Sequence, residues 1–271
     1  MYKSIQLFRW ILRYYVWLSV ALILAGIALH ISTGLLPAFL FYLAGILIIC
    51  LHFIRFPLRI FQDMYLSKGW FRFQRYLFTE DYYKERDTAL PVHWLRVYLP
   101  DMQTTTAHKK IYKANSDFNI SVQPYRCTPE KEALFSIYKN ILAPWHADGY
   151  LHYDISTNLF ATYAVEVRDG DTLIAVGVYD KGFNSVSTMF TFYHPDYQKN
   201  WLGKYVFLKI AEYARLEGKT WLYPGYIIEG NPKMDYKLFY GRDITEVYDR
   251  KTYSWISFNQ FAEGKWDAAR I

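Results

Sequence analysis

Cysteine is scarce in this sequence. There are two in 271 residues, Cys50 inside an apolar run and Cys127 alone in a polar one. Neither belongs to a CxxC pair, which argues against a cysteine metal site. No disulfide is expected if the globular part is cytosolic. Internal repeats and low-complexity linkers are missing too. Acidic residues are outnumbered, 25 against 31 Lys and Arg, for a formal net charge of +6. A basic chain of this size favours acidic partners such as nucleic acid or anionic lipid, with ordinary surface charge as the plainer account. Charge is absent altogether from Tyr14 to Ser32 and from Gly34 to Ile54.

Those two uncharged runs predict a two-helix transmembrane hairpin, with spans at about 14–32 and 35–54. Lys3, Arg9 and Arg13 precede the first run, Arg55, Arg59 and Lys68 follow the second, and the turn between them has no Lys or Arg. That pattern predicts a multi-pass protein of the inner membrane, with both termini and the remaining domain cytoplasmic and the lipid bilayer as a partner. The expected organisation is a hairpin over 1–56, an N-terminal region over 57–127 and a second domain over 128–271. After Pro57, "RIFQDMYLSKGWFRFQRYLF" mixes aromatics with Arg and Lys, as a helix on a membrane surface or the start of the globular part would.

Aromatics are what the chain has in excess, with 26 Tyr, 19 Phe and 9 Trp. Tyr suits places where one end is buried and the other wet. In the second domain, "TPEKEALFSIYKNIL" predicts a helix capped by Thr128, with Pro129 in its first turn. "FATYAVEVRD" and "TLIAVGVYD" flank the turn "DGD", and "SVSTMFTFY" follows "KGFN", so an antiparallel meander is expected. Leu202, Val206, Ile210 and Tyr213 form a helical stripe, with Asn200 as a cap and Gly218 as a stop. "TWLYPGYII" then reads as a strand. Meander, helix, strand is the order of the acyl-CoA N-acetyltransferase superfamily core. The expected fold class is therefore α+β, with an acyl-CoA N-acetyltransferase-like core: a mostly antiparallel sheet with packed helices.

A more specific likeness lies in "FTFYHPDYQKNWLGKYVFLKIAEYARLEGKTWLYPGYIIEGNPKMDYKLFYG". It resembles the C-terminal region of arginyl- and leucyl-tRNA–protein transferases, above all in "PKMDYK". "LRVYLPDMQTTTAHKKIYKANSDF" is similar to that family's basic segment, and "LSKGWFRF" to its glycine-aromatic-arginine opening. The likeness covers roughly Leu66 to Phe258. It departs from the family pattern near Tyr82 to Thr88, where cysteines are missing, so a metal role tied to them is not expected. It also departs at His194, which stands for Asp, and at Trp201 and Lys204, which stand for small polar residues. A Trp at a helix start is expected to narrow or block the donor pocket.

The resemblance implies transfer of an amino acid from aminoacyl-tRNA to the amine of an acceptor protein with an acidic N-terminus. A membrane-associated acceptor, a lipid or a cell-wall precursor, is the alternative acceptor. No cofactor is implied, because the donor ester is already activated. Asp235, Tyr236 and His194 are the implied catalytic residues. Lys233, Lys237, Gly225, Tyr226, Gly203, Tyr205, Arg96, Lys109 and Lys110 are the implied substrate-binding residues. Lys233 and Lys237 would meet phosphates of the tRNA acceptor end, and Tyr236 would stack on its terminal adenine or bond its ribose. Asp235 would orient the amine or a lysine, and Gly225 would let backbone approach closely. Two rival functions stay open. An acyl-CoA N-acyltransferase would need a glycine-rich phosphate loop, where "QKNWLGKY" offers only Gly203. The other is a non-catalytic adaptor of the same fold.

Overall fold

The computed structural model describes residues 21–28, 35–73, 76–85, 88–140 and 160–263. A long helix, α1 (Leu35–Ser67), leads into two short paired strands, β1 (Phe71–Phe73) and β2 (Tyr76–Phe78). Then come β3 (Tyr82–Glu85), β4 (Thr88–Tyr98), α2 (Thr106–Ala114), β5 (Asn119–Pro124) and α3 (Pro129–Lys139). The meander is β6 (Thr162–Asp169), β7 (Thr172–Lys181) and β8 (Ser185–Tyr193). It is followed by α4 (Leu202–Leu216), β9 (Trp221–Ile228), β10 (Thr245–Asp249), β11 (Ser254–Ser257) and α5 (Phe258–Ala262).

One mixed sheet carries the domain, in the order β11-β10-β4-β9-β8-β7-β6-β5, with β3 added on β4. The meander is antiparallel as its turns predict. The crossover through α4 makes β8 and β9 the parallel pair. The architecture is α+β, and the sheet runs without interruption across position 127.

Alternation along the strands assigns a helix to each face of the meander. Val165, Val167 and Ala175 pack with Leu202, Val206, Ile210 and Ala214 of α4. Their neighbours Ala164, Val176 and Val178 pack with Leu134 and Phe135 of α3. Gly177 lets α4 lie close, since a Cβ there would collide with Val206 Cγ1. Thr128 caps α3 through Lys131 N at 3.4 Å. Asn200 does not cap α4. Its amide donates to Ala114 O at 2.8 Å, which ties the approach to α4 onto α2. Gly218 ends α4 at φ +73°, as expected.

The transmembrane hairpin and the inner-membrane placement need correction. Among the described residues, no helix is long and apolar enough to cross a membrane. Apart from 21–28, the first expected span lies outside the described residues. The second does not stop near Ile54, because α1 continues through Pro57 to Ser67. Its last turns belong to the domain. Asp63 accepts from Asn184 N and from Ser185 Oγ, both at 2.6 Å, and Tyr65 and Leu66 sit in a core with Phe71, Trp94 and Tyr223. A lipid bilayer is accordingly not supported as a partner.

Candidate active site

Strands β8 and β9 start side by side and then part. Their parallel register covers Ser185–Ser187 against Trp221–Tyr223, although β8 runs on to Tyr193 and β9 to Ile228. The sequence causes the split. Pro224 follows the last paired residue and has no N–H to offer a ladder. Gly225 follows at φ +96°, backbone that favours glycine. On the other edge of β9 the register with β4 shifts between Leu95 and Val97, so the bend is also a bulge.

A cavity of about 580 Å³ fills the gap. Its walls are Thr188 to Thr191 of β8, Pro224 to Tyr226 of β9, and Met234, Tyr236 and Lys237 of the 3₁₀ helix Pro232–Tyr240. Trp201, Gly203 and Lys204 contribute the start of α4. Trp201 is left-handed at φ 51° and 41% exposed. It narrows one side without closing the space. Lys110 Nζ of α2, outside the lining, lies 5.1 Å from the centre of its ring.

The expected site residues divide. Gly203, Gly225, Tyr226, Tyr236 and Lys237 line the cavity. Asp235 is buried beside them. Tyr236 packs on Phe207, with ring centres 5.8 Å apart, and burial pushes its phenol up to about 12. Lys233 is exposed on the outside of the 3₁₀ helix, where its backbone N–H donates to Asn231 Oδ1 at 3.2 Å. Tyr205 points into the core and donates to Asn115 O at 3.3 Å. Arg96 lies outside the lining. Its Nε donates to Glu246 Oε2 at 2.6 Å, and its guanidinium lies 3.8 Å from the Trp221 ring and 4.7 Å from the Trp255 ring. Lys109 is exposed on α2. His194 lies outside the lining and opens the turn Pro195–Asn200, accepting from Asp196 N at 3.4 Å.

Lys237 is the most unusual group in the cavity wall. It is 7% exposed, and its Nζ donates to Tyr226 O at 2.8 Å. Met234 Sδ lies 3.7 Å from the same nitrogen. Burial lowers its pKa from 10.5 to about 7, while the Asp235 carboxylate pulls the other way. Desolvation wins because a charged amine there loses most of its water and gains one carbonyl.

A second buried cation was not expected at the site. Arg72 of β1 lines the cavity and is clamped by Asp180 of β7, Nε to Oδ2 at 2.6 Å and Nη2 to Oδ1 at 2.7 Å. Thr162 completes the cluster, accepting from Arg72 at 2.9 Å and donating to Asp180 at 2.6 Å. Its one trace in the sequence is the string "LSKGWFRF". Glu166, which alternates with apolar residues on β6, faces neither the cavity nor solvent. It pairs with buried Lys131 of α3 at 2.7 Å. Among the described residues no group of three or more His, Cys, Asp or Glu is placed to hold a metal.

The sequence signature described as "Arginine-tRNA-protein transferase, C terminus" matches residues 101–245, more than half of the chain. The chain belongs to this transferase family. The match takes in α2, α4, β9 and the 3₁₀ helix with Lys237, and leaves Arg72 outside. The aspartate/glutamate leucyltransferase of Pseudomonas savastanoi pv. phaseolicola is 35% identical over 156 residues, 54% of this chain and 63% of that protein. The enzyme of the same name from Shewanella sp. (strain MR-7) is 30% identical over 155 residues, with the same two shares. The chain thus spans under two thirds of the length of these family relatives. A solved structure, a GCN5-related N-acetyltransferase from Kribbella flavida, is a loose neighbour, with TM-score 0.30 and 15% identity over 50% of this chain and 53% of that one.

Proposed function

We propose that this protein moves an amino acid from aminoacyl-tRNA onto the α-amine of a protein whose first residue is acidic. One observation carries the reading. Gly225, Tyr226, Tyr236 and Lys237, drawn from the family-matched segment, meet Gly203 around a single cavity at the point where β8 and β9 part. The relatives named aspartate/glutamate leucyltransferase support leucine as the cargo and an Asp or Glu terminus as the acceptor. The lining suits an apolar aminoacyl group, since Phe71, Met189, Phe190 and Met234 all contribute to it. The volume is in the usual range for a small-molecule site.

The chemistry asks little of covalent catalysis. The donor ester is activated, so the protein must position it and bring a deprotonated amine to its carbonyl carbon. Trp201 in the lining and Lys110 beside its ring offer an indole face and a charge to the single-stranded end of the donor. The Tyr236 phenol stays protonated near neutrality and can donate to a carbonyl or ribose oxygen.

The test uses the full chain with radiolabelled leucyl-tRNA, arginyl-tRNA or acyl-CoA. Each donor is offered peptides beginning with Asp, Glu or Gly. Label should pass from leucyl-tRNA to the Asp and Glu peptides and not to Gly. Label from acyl-CoA alone would make the protein an N-acyltransferase, and label from neither donor class would make it an adaptor.

A further inference from the structure

Lys237 does not fit the role of a phosphate grip. A lysine that holds phosphate keeps its charge, and its ammonium carries three donors that need acceptors. Here the nitrogen lies in the wall of a largely apolar cavity, with Tyr226 O and Met234 Sδ as its recorded partners. A neutral amine suits that setting, because it donates one N–H to the carbonyl and keeps a lone pair. Lys233, four residues away, is exposed.

From this placement we infer that Lys237 is the proton carrier of the transfer, accepting a proton from the attacking α-amine and returning it to the departing ribose oxygen. The inference rests on the transferase reading above. The acceptor's neutral amine attacks the ester carbonyl carbon and a C–N bond forms. The nitrogen, now positively charged, gives its extra proton to Lys237 Nζ. The tetrahedral adduct then collapses. The ester C–O bond breaks, and the ribose oxygen leaves with the proton that Lys237 returns. The amine ends where it began, and no co-reactant is consumed.

The surroundings make this cycle workable near neutral pH. A general base works best when its pKa lies near the operating pH, and burial brings Lys237 to about 7. Asp235, on the same 3₁₀ helix, is the charged group that acts on it, and it prevents a still lower value. From β9 the Tyr226 ring faces it, with Nζ 5.5 Å from the ring centre, and Tyr236 faces it at 4.9 Å. Tyr226 also holds the nitrogen in place through its backbone carbonyl. Gly225 is favoured by its backbone at φ +96° rather than by space, since a Cβ there would only touch Lys237 Cε at 3.6 Å.

The experiment follows leucyl transfer to an Asp-initiated peptide as a function of pH, in the wild type and two variants. Lys237→Arg keeps N–H donors but carries a permanent charge and cannot lose a proton. It should cost about 100- to 10,000-fold in kcat/KM while retaining the wild-type circular dichroism. Lys237→Cys, alkylated with bromoethylamine, restores an amine more acidic than lysine. It should recover activity, with one limb of the pH profile moved to lower pH. The limb belonging to the acceptor amine should stay fixed. Wild-type protein treated with the same reagent controls for Cys50 and Cys127. An Arg variant of wild-type activity, or an alkylated Cys variant with an unmoved profile, overturns the role of Lys237 and leaves the transferase reading intact. A wild type that transfers nothing from any aminoacyl-tRNA overturns both.

Discussion

Arg72 and Lys237 are two cations buried in the wall of one cavity, and the protein treats them differently. Arg72 meets a carboxylate through two short bonds and a threonine through a third. Lys237 meets a backbone carbonyl and a thioether. The first is a fixed charge, cancelled on the spot and tying β1 to β7. The second is desolvated, and the Asp235 carboxylate offsets that only in part, so its charge is conditional on pH. Neutralised cations hold a wall together, whereas a poorly solvated amine can exchange protons with whatever enters.

The comparison can be broken most forcefully at Asp180. Asp180→Ala leaves the Arg72 guanidinium buried without its counter-charge and should cost about 3–5 kcal/mol, read as a fall in thermal midpoint. The paired change Arg72→Met with Asp180→Leu should cost much less than either single change. Equal losses would mean that the pair adds stability outright.

Lys237 gives the second test, with a defined sign. Its pKa is about 7 in the folded chain against 10.5 as a free lysine. Between those values the unfolded chain binds more protons, so stability rises with pH across the window. Below pH 7 the burial penalty is felt in full. Lys237→Met should therefore stabilise the fold more at pH 6 than at pH 9, by a difference of about 2–3 kcal/mol. Urea unfolding at the two pH values measures it, and equal gains would contradict a neutral amine.

Gly225→Ala comes next. It forces a side chain onto backbone at φ +96° and should cost about 1–2 kcal/mol, with a loss of transfer from any shift of Tyr226 O. The smallest effect belongs to Lys233→Ala. It should change stability by less than about 0.5 kcal/mol, so any defect would appear as a weaker salt dependence of tRNA binding.

The difference between these lysines marks how far the sequence could be read. The meander was legible because strand alternation and the "DGD" and "KGFN" turns are local signals. The segment that lines the cavity beside β9 was legible as a string, "PKMDYK". The fates of its two lysines were not, because burial is decided by which side of a 3₁₀ helix meets β9. The Arg72–Asp180 clamp joins residues 108 apart, and nothing local announces such a pair. The contacts of Arg96 with Trp221, Glu246 and Trp255 were not legible, because those partners come from distant parts of the chain. The apolar run before Pro57 suggested a boundary, yet α1 carries on to Ser67, because the contacts of Asp63, Tyr65 and Leu66 are tertiary.

The parting of β8 from β9 has a consequence for how a guest would be received. The ladder fails after Tyr223 because the next residue is proline, whose tertiary amide has no N–H, a covalent property that no occupant confers or removes. A substrate entering there meets no backbone ladder between β8 and β9 beyond Ser187 and Tyr223, only the bond from Thr188 Oγ1 to Tyr223 O at 3.4 Å. Its affinity should show little slow conformational phase, and kinetic delays should trace to docking of the RNA rather than to the protein opening for it.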